Sequence, residues 1–301
     1  MKIEVSAPGK LVLLGEHAVV YNRPCLVSAV SKRLRLKMEK IKRKLFQIER
    51  SDKKGFVKTA LKNFSDKYGL DFGVKIKTQN GFSLQYGLGS SAAVTVSVLK
   101  GLAELAKIKM DKRELFNLAY QTVLDVQGVG SGFDVAAAIY GGTIYFKTAG
   151  KVIKKITDFN LPIVVGYSGI KADTPTLVRR LAKEKRKHPQ IIGKIFTEIE
   201  GLVKEGKEAL LKKDWPKLGK LMDTNQKLLE NLGVSTEKLQ RMIGEARKAG
   251  AIGAKLSGAG GGDCMIALVD EKDRTDVEKA TRKAGGEIVK LNFSAEGVKL
   301  E

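Results

Sequence analysis

The sequence predicts an α+β protein built in two halves, and three observations carry that prediction. In the first half, short apolar stretches with strand character alternate with helical periodicity. In the second half, long amphipathic runs dominate and strand-like segments are few. The character changes over Lys151–Asn160, which places the halves at 1–155 and 156–301. A chain of 301 residues, 43% of them hydrophobic, has enough apolar material for one large core or two ordinary ones.

Taken in order, Lys2–Ser6, Leu11–Leu14, Cys25–Val30 and Leu34–Glu39 read as short strands. Val74–Thr78 alternates apolar and polar residues, as a half-buried strand does. A helix begins at Ser90-Ser91 and runs to about Lys107. A second spans Asp111–Val126, with Asp111 as its N-cap. Gly141–Phe146 reads as a strand and Leu161–Tyr167 as a buried one. Helices follow at about Thr176–Glu184, Gln190–Lys212, Trp215–Leu232 and Thr236–Ala249, with Asn231–Gly233 as punctuation. Ala254–Ser257, Cys264–Val269 and Glu287–Leu291 read as strands, and Arg274–Ala284 as a helix. No internal repeat or low-complexity tail is visible.

Composition narrows the function. The 2 cysteines, Cys25 and Cys264, lie far apart and form neither a disulfide framework nor a zinc site. The 2 histidines, His17 and His188, exclude a multi-histidine metal centre, so any metal is a hard cation on oxygen ligands. No apolar run reaches bilayer length and the opening residues lack a signal-peptide core, so a cytoplasmic enzyme is expected and no membrane partner. The formal charge of +22 fits a solvated lysine-rich surface, attraction for anionic substrates, or nucleic-acid binding. The basic residues are spread along the chain without interleaved aromatics, so any nucleic-acid binding should be weak and salt-sensitive.

Three segments concentrate glycine with small or polar residues. Gly87-Leu88-Gly89-Ser90-Ser91-Ala92-Ala93 precedes an apolar-periodic helix. Glycine there lets the backbone approach phosphate oxygens, and the helix N-terminus supplies free N–H groups and positive dipole. The serine hydroxyls can donate to phosphate or ligate a phosphate-bound Mg²⁺. A glycine turn with a serine cap is the plainer reading. The Walker A pattern fails, because no Gly-Lys pair is followed by Ser or Thr. The looser dinucleotide pattern is met, but no strand ending in an acid lies twenty residues on. Gly128–Asp134 places a short carboxylate, Asp134, among small residues, as a base that takes a hydroxyl proton requires. A helix-capping aspartate is the alternative. Lys255–Cys264 carries more glycine than a hairpin needs and suits a second loop over phosphate or substrate.

With Ala7-Pro8-Gly9-Lys10 and Gly15-Glu16-His17 added, these segments resemble, in order and over essentially the whole chain, the motifs of the GHMP kinases. That family takes its name from galactokinase, homoserine kinase, mevalonate kinase and phosphomevalonate kinase. The run Lys10–Tyr21 is most similar to the mevalonate kinase branch, as are Leu218–Leu232 and Val234-Ser235-Thr236 leading into Gly253-Ala254-Lys255. The resemblance implies an N-terminal half like ribosomal protein S5 domain 2, a ferredoxin-like C-terminal half, and an active site between them. It implies ATP as co-substrate and Mg²⁺ as cofactor, with mevalonate or phosphomevalonate as the acceptor, and it is compatible with a homodimer. Lys10 and Asp134 would flank the acceptor hydroxyl as the catalytic pair. Gly87, Leu88, Gly89, Ser90, Ser91 and Ala92 would hold the nucleotide, with Ser91 on the metal. Glu16, His17, Gly132, Thr174, Gly258 and Ala259 would line the acceptor. Lys171, Arg179 and Arg180 are the nearest cations for a phosphorylated acceptor.

Two departures stand out. Val123 occupies the place of a metal-binding glutamate, and Gly130–Asp134 and Gly261-Gly262-Asp263 look more like phosphomevalonate kinase. Outside enzymes, an S5-like nucleic-acid-binding protein is the alternative. It would not need Asp134 beside Lys10.

Overall fold

In the computed structural model, residues 1–42, 45–49, 55–80 and 86–301 are described. The first half is organised by two long strands, β1 (Lys2–Leu14) and β2 (Pro24–Ile41), paired antiparallel from Lys2↔Glu39 to Leu14↔Leu26. The sequence suggests four short strands here; the structure joins them into two. The gap between Ser6 and Leu11 is spanned, with a register shift between Pro8 and Gly9. A bulge accommodates proline, which has no N–H to give the ladder.

At 18 residues β2 is long enough to pair twice on its other side. Its end at 34–41 takes β4 (Gly73–Asn80), which β3 (Phe46–Glu49) joins in parallel. Its start at 24–28 takes β5 (Thr143–Lys147), which carries β6 (Val152–Thr157). The helices α1 (Phe56–Tyr68), α2 (Ser90–Leu105), α3 (Lys112–Gln127) and α4 (Phe133–Tyr140) pack on one another, and α2 and α4 lie against β1 and β2.

In the second half β7 (Ile163–Tyr167), β8 (Gly253–Ser257), β9 (Cys264–Leu268) and β10 (Glu287–Ile288) form an antiparallel sheet in the order β10-β7-β9-β8. Between β7 and β8 run α5 (Thr174–Lys187), α6 (Pro189–Lys212), α7 (Trp215–Asn231) and α8 (Glu237–Lys248), and α9 (Arg274–Lys283) precedes β10. Each strand of the β8–β9 hairpin is buried along its whole length, as a strand covered by helices must be. The chain then returns to the first sheet, where β11 (Lys299–Leu300) pairs with Val5 and Ser6. Among the described residues, no helix is long and apolar enough to cross a membrane.

The segment after Gly132, which reads as a loop carrying Asp134, is the first turn of α4. Gly132 stands at the capping position, so Asp134 is not the N-cap of this helix. It lies inside the first turn, where a negative side chain is favoured by the dipole. The capping role read for Asp111 is observed: its carboxylate accepts from the Glu114 amide at 2.8 Å.

Candidate active site

Lys10 sits in the middle of β1 and is buried. Its amide donates to the Leu88 carbonyl at 2.8 Å, and its ammonium donates to the Gly87 carbonyl at 2.9 Å. The strand therefore holds the glycine-rich loop by two bonds. Phe133 lies under the ammonium, 5.6 Å from nitrogen to ring centroid. Gly89 caps α2 with φ 79°, which turns the chain into the helix and leaves the first N–H groups of Ser90, Ser91 and Ala92 without intrahelical partners. Both serines keep partial exposure, whereas Leu88 and Ala92 are buried beneath them.

Gly89 also separates Lys10 from Asp134. A Cβ there would stand 3.1 Å from Lys10 Cγ, 3.3 Å from Lys10 Cε and 3.7 Å from Asp134 Cβ. The helix N-terminus, the cation and the carboxylate thus meet across one backbone position. Lys10 and Asp134 are not in direct ion-pair contact, but each feels the other's charge. Burial lowers the Lys10 pKa and Asp134 partly restores it. Burial raises the Asp134 pKa, opposed first by Lys10 and then by the Val135 amide, which donates to Oδ1 at 3.0 Å.

Glu16 and His17 follow the end of β1. His17 is buried and its Nε2 donates to the Ala259 carbonyl at 2.9 Å. Burial lowers its pKa, so the imidazole is held neutral. Glu16 forms a buried ion pair with Lys255 from β8, and Lys255 also donates to the Leu256 carbonyl at 2.6 Å. Burial pushes the Glu16 carboxyl up and the Lys255 ammonium down, and each partner opposes the shift in the other. Beside them Ser257 exchanges two hydrogen bonds with Val12 of β1, both 2.9 Å. Lys255 and Ser257 were not among the residues the sequence points to, although a lysine inside a buried strand signals a required carboxylate partner.

The third glycine segment is the loop of the β8–β9 hairpin, closed by the pair Ser257↔Cys264. It is more than a hairpin turn, because it docks onto two other connections, the one between α7 and α8 and the one following β7. Gly261 donates to the Val234 carbonyl at 2.8 Å and Asp263 donates to the Ile170 carbonyl at 2.7 Å. Gly258 and Ala259 remain partly exposed at the tip. Gly132, at the cap of α4, lies against Tyr120 and Phe116 of α3, and Thr174 opens α5 as an exposed residue. Of the three candidate cations, Lys171 pairs with Asp263 at 2.8 Å. Arg180 donates to the Gly233 carbonyl at 2.5 Å, and Arg179 to the Thr176 hydroxyl at 3.2 Å.

Val123 is buried in α3 and its side chain faces Gly130, so this position offers apolar contact and no metal ligand. Among the described residues, no group of three or more His, Cys, Asp or Glu side chains could hold a metal ion. The oxygen donors at the loop are the hydroxyls of Ser90 and Ser91. That set suits a Mg²⁺ carried mainly by phosphate oxygens, which needs few protein ligands.

Residues 55–142 match the model for the GHMP kinases N terminal domain, and residues 207–287 match that for the GHMP kinases C terminal domain. A mevalonate kinase from Pyrococcus furiosus is 35% identical over 100% of this chain and 99% of its own length. The crystal structure of L. major mevalonate kinase in complex with R-mevalonate superimposes with a TM-score of 0.83 at 27% identity, covering 97% of this chain and 96% of that one. The Streptococcus pneumoniae phosphomevalonate kinase superimposes with a TM-score of 0.82 over 97% of this chain and 99% of that one, but at 21% identity the likeness is of fold alone.

Proposed function

This chain belongs to the GHMP kinase family, and we propose that it transfers the terminal phosphoryl group of ATP to the 5-hydroxyl of mevalonate. The observation that carries the chemistry is the junction at Gly89, where the α2 N-terminus meets Lys10 and Asp134. The acceptor follows from relatives named mevalonate kinase at about one-third identity over the full chain.

The roles follow from charge and placement. The Gly87–Ala92 backbone and the first N–H groups of α2 take the phosphates, as a helix N-terminus does for anions. Ser91 would hold a phosphate-borne Mg²⁺, which supplies charge neutralisation when bound. Asp134 orients the acceptor hydroxyl and takes its proton as the new O–P bond forms and ADP departs. Lys10 stabilises the developing negative charge and keeps Asp134 ionised. The neutral His17, fixed on Ala259, and the Glu16 carboxylate shape the acceptor side with Gly132, Thr174 and Gly258.

The two phosphomevalonate-like segments do not move this assignment. Gly130–Asp134 forms the cap and first turn of α4, and Asp263 is engaged with Lys171. Comparing ATP consumption on mevalonate with that on 5-phosphomevalonate tests the assignment. Mevalonate should be turned over far faster; turnover with the phosphate alone would refute it.

A further inference from the structure

Asp263 lies outside the roles assigned so far, yet the chain holds it tightly. It is buried and its φ of 55° lies in the left-handed region that non-glycine residues rarely adopt. Such strain persists only where surrounding contacts over-determine it, and the contacts are present. Its amide donates to Ile170, its carbonyl accepts from Ser168 at 2.9 Å, and its Oδ1 accepts from the Ala172 amide at 3.1 Å and from Lys171 Nζ at 2.8 Å.

The other carboxylate oxygen faces the phosphate loop. Any side chain at Gly87 would fall inside the Asp263 carboxyl, so glycine with φ 71° is needed there. The same Gly87 accepts the Lys10 ammonium through its carbonyl. Lys10 is close enough to both groups that Asp263 raises its pKa and Lys171 lowers it. Charges therefore alternate through the cleft: Asp134, Lys10, Asp263, Lys171. At the end of this row, Lys171 keeps 48% of its side chain exposed, against 7% for Asp263. The Lys171 ammonium is thus fixed on a carboxylate that abuts the Gly87 turn, and half of its side chain remains open.

We propose that Lys171 binds the terminal phosphate of ATP and that Asp263 is the positioning residue that holds it there. The proposal rests on the reading of the cleft as an ATP site, but it does not depend on which acceptor is used. The alternative is an ion pair that only stabilises the loop, its lysine half exposed.

The two are separated by measuring ATP and ADP dissociation constants, with Mg²⁺ and no acceptor, for the wild-type chain, Lys171→Met, Lys171→Arg, Asp263→Asn and the Lys171→Met/Asp263→Asn double variant. Removing a charged contact to the terminal phosphate should weaken ATP about 10-fold or more and ADP by less than about 2-fold. Lys171→Arg should retain most of the ATP preference. Asp263→Asn should show the same selective loss, and the double variant should be no worse than Lys171→Met, since one residue acts through the other. Equal effects on ATP and ADP in Lys171→Met, or no effect on either, would overturn the proposal. So would losses that multiply in the double variant. Because Lys171 is half exposed, its variants report even if Asp263→Asn does not fold. A wild-type chain that discriminates ATP from ADP through Lys171 but ignores mevalonate would sink the acceptor assignment alone.

Discussion

Gly89→Ala is a sharp test of the cleft, because one methyl group reaches both members of the proposed catalytic pair. Two terms contribute. Placing an L-residue at φ 79° costs about 1–2 kcal/mol. The new Cβ would also press on Lys10 at 3.1 and 3.3 Å and approach Asp134 at 3.7 Å, so the lysine must give by a few tenths of an ångström. Gly128→Ala isolates the first term: φ there is 71°, and a Cβ meets nothing within 4 Å. Both variants should therefore melt a few degrees lower, at roughly 2–4 °C per kcal/mol. Only Gly89→Ala should lose turnover. Misplacement by about 1 Å costs on the order of 100-fold, so a shift of a few tenths should lower kcat by about 10-fold. Gly89→Val, with a larger side chain at the loop, should also weaken ATP binding strongly. Thermal melts with steady-state kinetics and nucleotide titration on both positions decide the matter. If Gly89→Ala keeps kcat within about twofold of Gly128→Ala, the loop does not govern the pair and the argument from geometry is wrong.

Two further outcomes follow from the charged groups. Asp134→Asn and Lys10→Met should each lower kcat by about 100-fold or more with the fold intact; because burial raises the Asp134 pKa and lowers that of Lys10, kcat should fall on the acid side above the ordinary aspartate value of about 3.9 and on the basic side below the ordinary lysine value of about 10.4. Lys255→Met should destabilise the protein by about 3–5 kcal/mol, because Glu16 would be left buried and unpaired; a melting temperature unchanged from wild type would contradict that.

Much of this site was legible because its signals are local. Helix α3 announces itself through Asp111, a capping residue three positions before Glu114, and α2 through glycine followed by apolar periodicity. The segments that escaped reading lack such signals. α1 and α4 are capped by glycine with no side-chain bond, and α4 is only 8 residues long. β6 is an outer strand with Lys154 and Lys155 exposed, so its apolar alternation is weak. The length of β1 was hidden by Pro8, which argues for a break unless the bulge is known. The contacts that assemble the cleft are non-local. Glu16 and Lys255 are 239 positions apart and Lys171 and Asp263 are 92 apart, beyond the reach of any spacing rule.

Those non-local contacts share a character that bears on mechanism. The halves meet at the cleft through Ser257 with Val12, Glu16 with Lys255, and Asp263 against Gly87, and each lies in or beside a glycine segment. Apolar residues of similar volume could join the halves with equal or greater stability, but apolar contacts are non-directional and tolerate sliding. A buried ion pair and a reciprocal hydroxyl bond hold one register. Replacing both partners, as in Glu16→Leu with Lys255→Met, should therefore recover much of the stability lost in Lys255→Met alone. It should not recover turnover, because the Glu16 carboxylate would be lost from the acceptor side and the segment carrying His17 would keep only its single bond to Ala259. Full recovery of kcat in the double variant would mean that the pair serves stability alone and that the register of the two halves is set elsewhere.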